Sequence, residues 1–324
     1  MFDPVHLKQP TPPVAIPARL QCALASLVVF LALLAWPAQA DQKESTTPAP
    51  QQEKLVKVTS HREGDVTQFY VENKELSEVT MTFEVELLNL TSTVAFPYTA
   101  TFPPGRTEAF ALSPADPKAK WEFNYTNYFK LGSRCAEHDD AHIYELPYAA
   151  GNKFKVTQGY NGKYSHKGAN QYATDWQMPE GTLVLAARGG LVVRAKDDSD
   201  KGGPNMDYDR YNNYILIRHD DGTLAHYCHL QKGGVLVKTG QWVESGDAVA
   251  RSGNTGFSSG PHLHFCVFKT KDGRTRASLP VRFRTATQPA ATLLSGRSYR
   301  AAELQAAALN GPNSASTPVG GAMQ

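Results

Sequence analysis

The sequence predicts an all-β protein in two parts: a small N-terminal β-sandwich, then a C-terminal antiparallel β-sheet domain. Three observations carry this expectation. Apolar and polar residues alternate over short segments, as they do on half-buried strands. Glycines (25) and prolines (21) punctuate those segments as turns. Long helical periodicity is absent. The chain has 324 residues, a length that suits two domains, and its 41% hydrophobic content is enough to build cores.

Residues 1–40 read as a secretory signal peptide. Lys8 and Arg19 are basic, an apolar run extends from Cys22 to Trp36, and Ala38-Gln39-Ala40 forms a small-x-small cleavage site before Asp41. The alternative, an uncleaved anchor, fits less well, because the run is shorter than the roughly 20 residues that span a bilayer. The expected membrane contact is therefore only through this segment before cleavage. Residues 41–53 are polar, with Pro and Thr, and read as a linker.

Residues 54–130 form the expected β-sandwich. Val79-Thr80-Met81-Thr82-Phe83-Glu84-Val85-Glu86-Leu87 alternates with period two, Pro103-Pro104-Gly105 marks a turn, and Trp121-Glu122-Phe123-Asn124-Tyr125 alternates again. Residues 131–150 read as a connector. In residues 151–285 the strands continue, now Gly-rich, with Asp220-Asp221-Gly222 as a hairpin turn. Residues 286–324 read as a C-terminal extension, weakly helical near Ala301–Ala308 and disordered at its end.

Charge is nearly balanced, 33 basic against 31 acidic residues, so nothing suggests a nucleic-acid partner. Beyond Cys22 the chain keeps Cys135, Cys228 and Cys266, an odd number that leaves at least one thiol unpaired within the chain. An oxidising compartment permits one disulfide, whose pairing the sequence leaves open. There is no C-x-x-C pair to suggest a cysteine zinc site.

The strongest chemical signal is His262-Leu263-His264. Residues two apart on a strand share a face, so both imidazoles point the same way. His166, Asp175 and His229 add further candidates. Two neutral imidazoles and one carboxylate would leave a zinc ion a net positive charge and one open position. The remaining histidines would then be free for proton transfer and oxyanion stabilisation. Spacing alone does not decide which of His262 and His264 would face the metal.

In these residues the chain resembles the lysostaphin/LytM family of zinc endopeptidases. The resemblance runs over roughly residues 145–285 through His166 and Asp175, Tyr227-Cys228-His229-Leu230, and Gly260-Pro261-His262-Leu263-His264-Phe265. Gly240-Gln241-Trp242-Val243 and Ser252-Gly253-Asn254-Thr255-Gly256 add to it. It implies a compact antiparallel sheet with the site in a groove, and one Zn2+ per chain held by His166, Asp175 and His264. It makes His229 and His262 the catalytic pair. One departure matters: the commonest family spacing, H-x-x-x-D, falls here on Asn170, and Asp175 stands five residues further on. The context from Trp176 to Val184 assigns the ligand to Asp175 and an insertion to the intervening loop.

The resemblance implies an exported endopeptidase, periplasmic or secreted, acting on the stem peptides or cross-bridges of peptidoglycan. Two other readings use the same fold: a non-catalytic cell-wall-binding regulator of wall hydrolysis, and a secreted protease acting on Gly-rich proteins. The retention of all five site residues argues against the first. Three further expectations concern histidines outside that set. His219 and His226 would sit near the site in supporting roles. The acidic connector segment His138–His142 would reach the open metal position and keep the enzyme latent.

Overall fold

The computed structural model describes residues 55–303. The expected signal peptide, the linker and residues 304–324 of the C-terminal extension lie outside the described residues. Among the described residues, no helix is long and apolar enough to cross a membrane.

The alternating segments of the N-terminal part form two antiparallel sheets. One orders Val56–Glu63, Val66–Asn73, Gly105–Pro114 and Leu90–Ser92; the other places Val79–Leu88 between Tyr98–Phe102 and Glu122–Leu131. Phe69 and Val71 point inward from Val66–Asn73. Phe69 stacks on Phe110 with ring centroids 4.5 Å apart and meets the edges of Phe123 and Tyr125 from the second sheet. Such aromatic pairs add about 0.5–1.5 kcal/mol each beyond the area they bury.

The strand Val79–Leu88 departs from the half-buried pattern expected of it. Residues Val79 to Phe83 are all buried, the threonines included. Thr80 donates to the Gly132 carbonyl at 2.9 Å, and the Gly273 amide donates to Thr82 at 3.0 Å. The second domain reaches this strand through Gly273, and the Thr80 and Thr82 hydroxyls satisfy backbone groups in the connector and in that domain, as burial of polar groups requires.

The second domain is built on a nine-stranded antiparallel sheet. Its path runs Trp242–Val243, Gly190–Lys196, Tyr214–Arg218, Leu224–Cys228, His262–Thr270, Thr174–Gln177, Lys153–Gln158 and Ser298–Arg300, with Arg276–Leu279 also beside His262–Thr270. The hairpin at Asp220-Asp221-Gly222 is present, joining Tyr214–Arg218 to Leu224–Cys228. One sheet face carries Trp176, Ile215, Ile217, Tyr227, Leu263 and Phe265, packed against a smaller sheet of Leu183–Leu185, Ala248–Ser252 and Leu230–Val235. On the opposite face, Leu216, Leu224, Cys266 and Phe268 join the N-terminal core. The ion pairs Arg194–Glu75, Arg218–Glu78 and Arg274–Glu84 also join the two parts. Around His264 this face opens into a cavity.

Two short segments outside residues 151–285 belong to this domain. From the connector, Ile143–Glu145 pairs in parallel with Arg282–Arg284 and buries Tyr144, and Leu146 and Tyr148 follow it into the core. From the expected extension, Ser298–Arg300 pairs with Lys153–Gln158 and buries Leu293 and Ala301 nearby. Three-residue strands carry no readable periodicity, so neither was visible in the sequence.

Candidate metal centre

The central strand His262–Thr270 presents His262, His264, Cys266 and Phe268 on one face. Asp175 pairs directly across from His264 in the antiparallel register, which brings carboxylate and imidazole together without any loop. His166 arrives from the loop after Lys153–Gln158. The ligating atoms of His166, Asp175 and His264 all lie within 4.8 Å of one another, and all three residues are buried.

The hydrogen bonds around the cluster set its charge. His166 Nδ1 lies 2.8 Å from the Gly159 carbonyl, an acceptor only, so Nδ1 carries the proton. Nε2 then faces Asp175 Oδ2 at 3.0 Å as a second acceptor, buried and without a hydrogen-bond partner. Two acceptors in buried contact require a proton or a metal ion between them. Asp175 Oδ1 lies 2.8 Å from His264 Nδ1, and Oδ2 also accepts from the Gln158 amide at 2.9 Å. Burial alone would raise the Asp175 pKa, but the neighbouring charge and hydrogen bond of His264 hold it well below the usual carboxylate range. A buried carboxylate that stays ionised, flanked by two imidazole nitrogens, suits a divalent metal with an open position.

His229 and His262 stand beside this cluster. Their ring centroids are 4.5 Å apart, and His229 lies 5.8 Å from the His264 ring. His229 follows Leu224–Cys228 and has φ 62°, a left-handed conformation that costs a non-glycine residue roughly 1–3 kcal/mol. The Asn212 side chain holds the turn by accepting the His229 amide at 2.9 Å. His229 Nδ1 donates to the Thr255 carbonyl at 2.7 Å, and His262 Nδ1 to the Gly260 carbonyl at 2.8 Å. Each ring therefore keeps an unprotonated Nε2. Burial, reinforced by the charges of His262 and His264, pushes the His229 pKa down to about 3. Burial also lowers His262, against the opposing pull of Asp175. Both are neutral bases at neutral pH. Gly253 lets its loop pass close to the backbone that follows His229: a Cβ there would come within 2.5 Å of the Gln231 amide nitrogen.

The site opens into a cavity of about 540 Å³ lined by Asp175, His229, His262 and His264, with Tyr164 and Phe257 among its other walls. All five residues named from the sequence thus meet at one place. Sequence reasoning missed Gln158, Asn212, Ser258 and Arg276, which stand in no recognisable motif. His226 lines the same cavity, as expected. His219 does not: it is buried against Gly189 and the Tyr144 ring, away from the cavity. The connector also departs from expectation. His138 bonds Asp140, and His142 packs on Tyr144, so none of His138–His142 lines the cavity. Asn170 accepts a hydrogen bond from Arg276.

Residues 169–276 match the model of Peptidase family M23, a segment that includes Asp175, His229, His262 and His264 and begins three residues after His166. Peptidoglycan DD-endopeptidase ShyA of Vibrio cholerae is 33% identical over 122 residues, 36% of this chain and 26% of that protein. Lysostaphin of Staphylococcus simulans is 34% identical over 134 residues, 41% of this chain and 25% of that protein. Among solved structures, the catalytic domain of lysostaphin from Staphylococcus simulans aligns with 27% identity, 39% of this chain, 87% of that chain and a TM-score of 0.28. The chain spans about a quarter of the length of those two curated relatives. Residues 169–276 thus form a domain similar to Peptidase family M23, and the match takes in the strands that carry Asp175 and His264 of the buried cluster.

Proposed function

We propose that the protein is an exported zinc-dependent endopeptidase that hydrolyses peptide bonds in the stem peptides or cross-bridges of peptidoglycan. The observation that carries this reading is the buried His166–Asp175–His264 cluster set beside two neutral imidazoles in an open cavity. The names of relatives such as the DD-endopeptidase of Vibrio cholerae support the substrate class. Zinc fits the donor set of two imidazole nitrogens and one carboxylate, with a position left for substrate or water.

His166 Nε2, Asp175 and His264 Nδ1 would hold the metal. When bound, it would supply Lewis acidity toward the scissile carbonyl and acidify water near neutrality. The chain's own residues do the rest. His229, kept neutral by burial, accepts a proton at Nε2 from the attacking water and returns it to the leaving amine. His262, fixed by the Gly260 carbonyl, directs its Nε2 to the same space as a second neutral acceptor, which orients the attacking water by accepting a hydrogen bond from it. The backbone carbonyls of Thr255 and Gly260 keep both rings in the required tautomer. Purified peptidoglycan incubated with the protein should release peptide-cut fragments, and a chelator should stop the release. Fragments cut only in the glycan strands, or chelator-insensitive release, would refute the reading.

A further inference from the structure

We propose that Arg276 forms a carboxylate-recognition subsite, selecting peptides with a free carboxylate one or two residues from the scissile bond; this rests on the peptidase reading of the site. Arg276 lines the same cavity as the metal cluster. Its guanidinium lies over the Phe268 ring, with Cζ 4.4 Å from the centroid. Nη2 donates to Asn170 Oδ1 at 2.8 Å, and Nη1 lies 3.5 Å from His226 Nδ1.

Every one of these partners is neutral. One is an amide, one an aromatic face, and His226 is held uncharged by burial and by the guanidinium itself. Among the described residues, no carboxylate forms an ion pair with Arg276; Asp209 also lines the cavity but does not engage it. Nearby Lys130 adds positive field rather than compensation: burial and then the charge of Arg276 lower its pKa. A planar guanidinium held on a cavity wall by neutral partners, with no ion pair to a carboxylate among the described residues, matches a carboxylate's two oxygens.

The insertion between His166 and Asp175 explains how the guanidinium is held. Asn170 ends the short 3-10 helix Gly168–Asn170, which packs on the strand Arg276–Leu279. As an amide it orients Arg276 without neutralising it, whereas an aspartate there would consume the charge.

The register gives the distance. His226 pairs with Cys266, one same-face step along the strand from His264. That step is about 6.5–7 Å, or roughly two residues of an extended peptide. A substrate lying along the groove with its scissile bond at the metal would therefore bring a residue one or two positions away beneath the guanidinium.

The test uses the zinc-loaded full chain and short Ala/Gly peptides, made non-cleavable by N-methylation of the central bond. Glu or Gln is placed in turn at each of the two positions on either side, and Kd is measured by calorimetry. At one position the Glu peptide should bind roughly 10–100-fold tighter than its Gln counterpart, the usual strength of a charged hydrogen-bonded pair. Arg276→Gln should collapse that ratio to near unity, and Arg276→Lys should keep part of it. No preference at any position, or a preference that survives Arg276→Gln, overturns the subsite. If Arg276→Gln fails to fold by thermal melting, Asn170→Ala replaces it: it should cut the ratio severalfold, and an unchanged ratio overturns the proposal. The unmethylated peptides are assayed for cleavage in parallel. A carboxylate preference in binding with no cleavage of any peptide supports the subsite and counts against the peptidase reading.

Discussion

Replacing His264 with alanine should separate metal binding from proton transfer when set beside His229→Ala. His264 supplies one of three ligating atoms clustered within 4.8 Å, and its loss leaves His166 and Asp175 alone to hold the ion. If free zinc stands at ~1,000 times the Kd, binding stabilises the fold by about 4 kcal/mol. For a structure of this size each kcal/mol moves the midpoint by roughly 2–4 °C, so zinc should raise the wild-type melting temperature by about 8–16 °C. His264→Ala should lose most of that rise. His229→Ala keeps all three ligands, so its zinc-induced shift should persist while turnover falls by roughly 10²–10⁴, the range for a general acid–base group. His262→Ala should follow His229→Ala. The assays are zinc content by elemental analysis, melting with and without zinc, and cleavage rate. If His262→Ala abolishes the zinc shift while His264→Ala retains it, the assignment within the pair is reversed. Normal turnover in His229→Ala would show that this histidine only supports the turn.

Three further outcomes follow from contacts around the site and beneath it. Gln158→Leu removes the amide that donates to Asp175 Oδ2 at 2.9 Å; metal affinity should fall about 10–100-fold, measured by competition with a chromogenic chelator. Unchanged affinity would remove Gln158 from the centre. Asn213→Ala strips a fully buried amide of bonds to the Ser199 carbonyl at 2.8 Å, the Leu230 carbonyl at 3.2 Å and the Ser199 amide at 3.1 Å. The Leu230 carbonyl keeps the Thr255 hydroxyl, so at about 1–3 kcal/mol for each of the two Ser199 groups left unsatisfied, chemical denaturation should show a loss of roughly 2 kcal/mol or more. A loss below about 1 kcal/mol would mean that water replaces the side chain. His219 supplies a pH test, because burial lowers its pKa to about 4. Below about 6.5 the unfolded chain binds a proton that the folded chain refuses, so stability falls as pH drops from about 6.5 to 4 and the loss levels off below that. The His219 share is about 3 kcal/mol at most, and His219→Gln should flatten the profile by that amount; an identical slope in both proteins contradicts the assignment.

Much of the centre was readable from local sequence, because strand geometry is local. His262 and His264 must share a face wherever their strand is placed, and Asp175 was identified by the residues that follow it. The alternating segments of the N-terminal part likewise announced strands, since period two needs no tertiary information. Which of His262 and His264 stands with Asp175 was decided by pairing: the register sets Asp175 opposite His264 and leaves His262 beside His229.

Tertiary structure alone decided the rest, because it depends on groups distant in sequence. The tautomers of His166, His229 and His262 are set by the carbonyls of Gly159, Thr255 and Gly260, each presented by a loop whose path no pattern encodes. The burial of Thr80 and Thr82 follows from a second domain docking on a strand that reads as half exposed. The strands Ile143–Glu145 and Ser298–Arg300 are too short to show a period and exist because a sheet edge satisfies their backbone groups. Arg276 and Asn170 lie 106 residues apart, and only folding sets the guanidinium beside the amide that orients it. Sequence by itself determined which residue types could do the chemistry; tertiary structure determined their protonation and partners, because both depend on burial and on hydrogen bonds that local sequence does not contain.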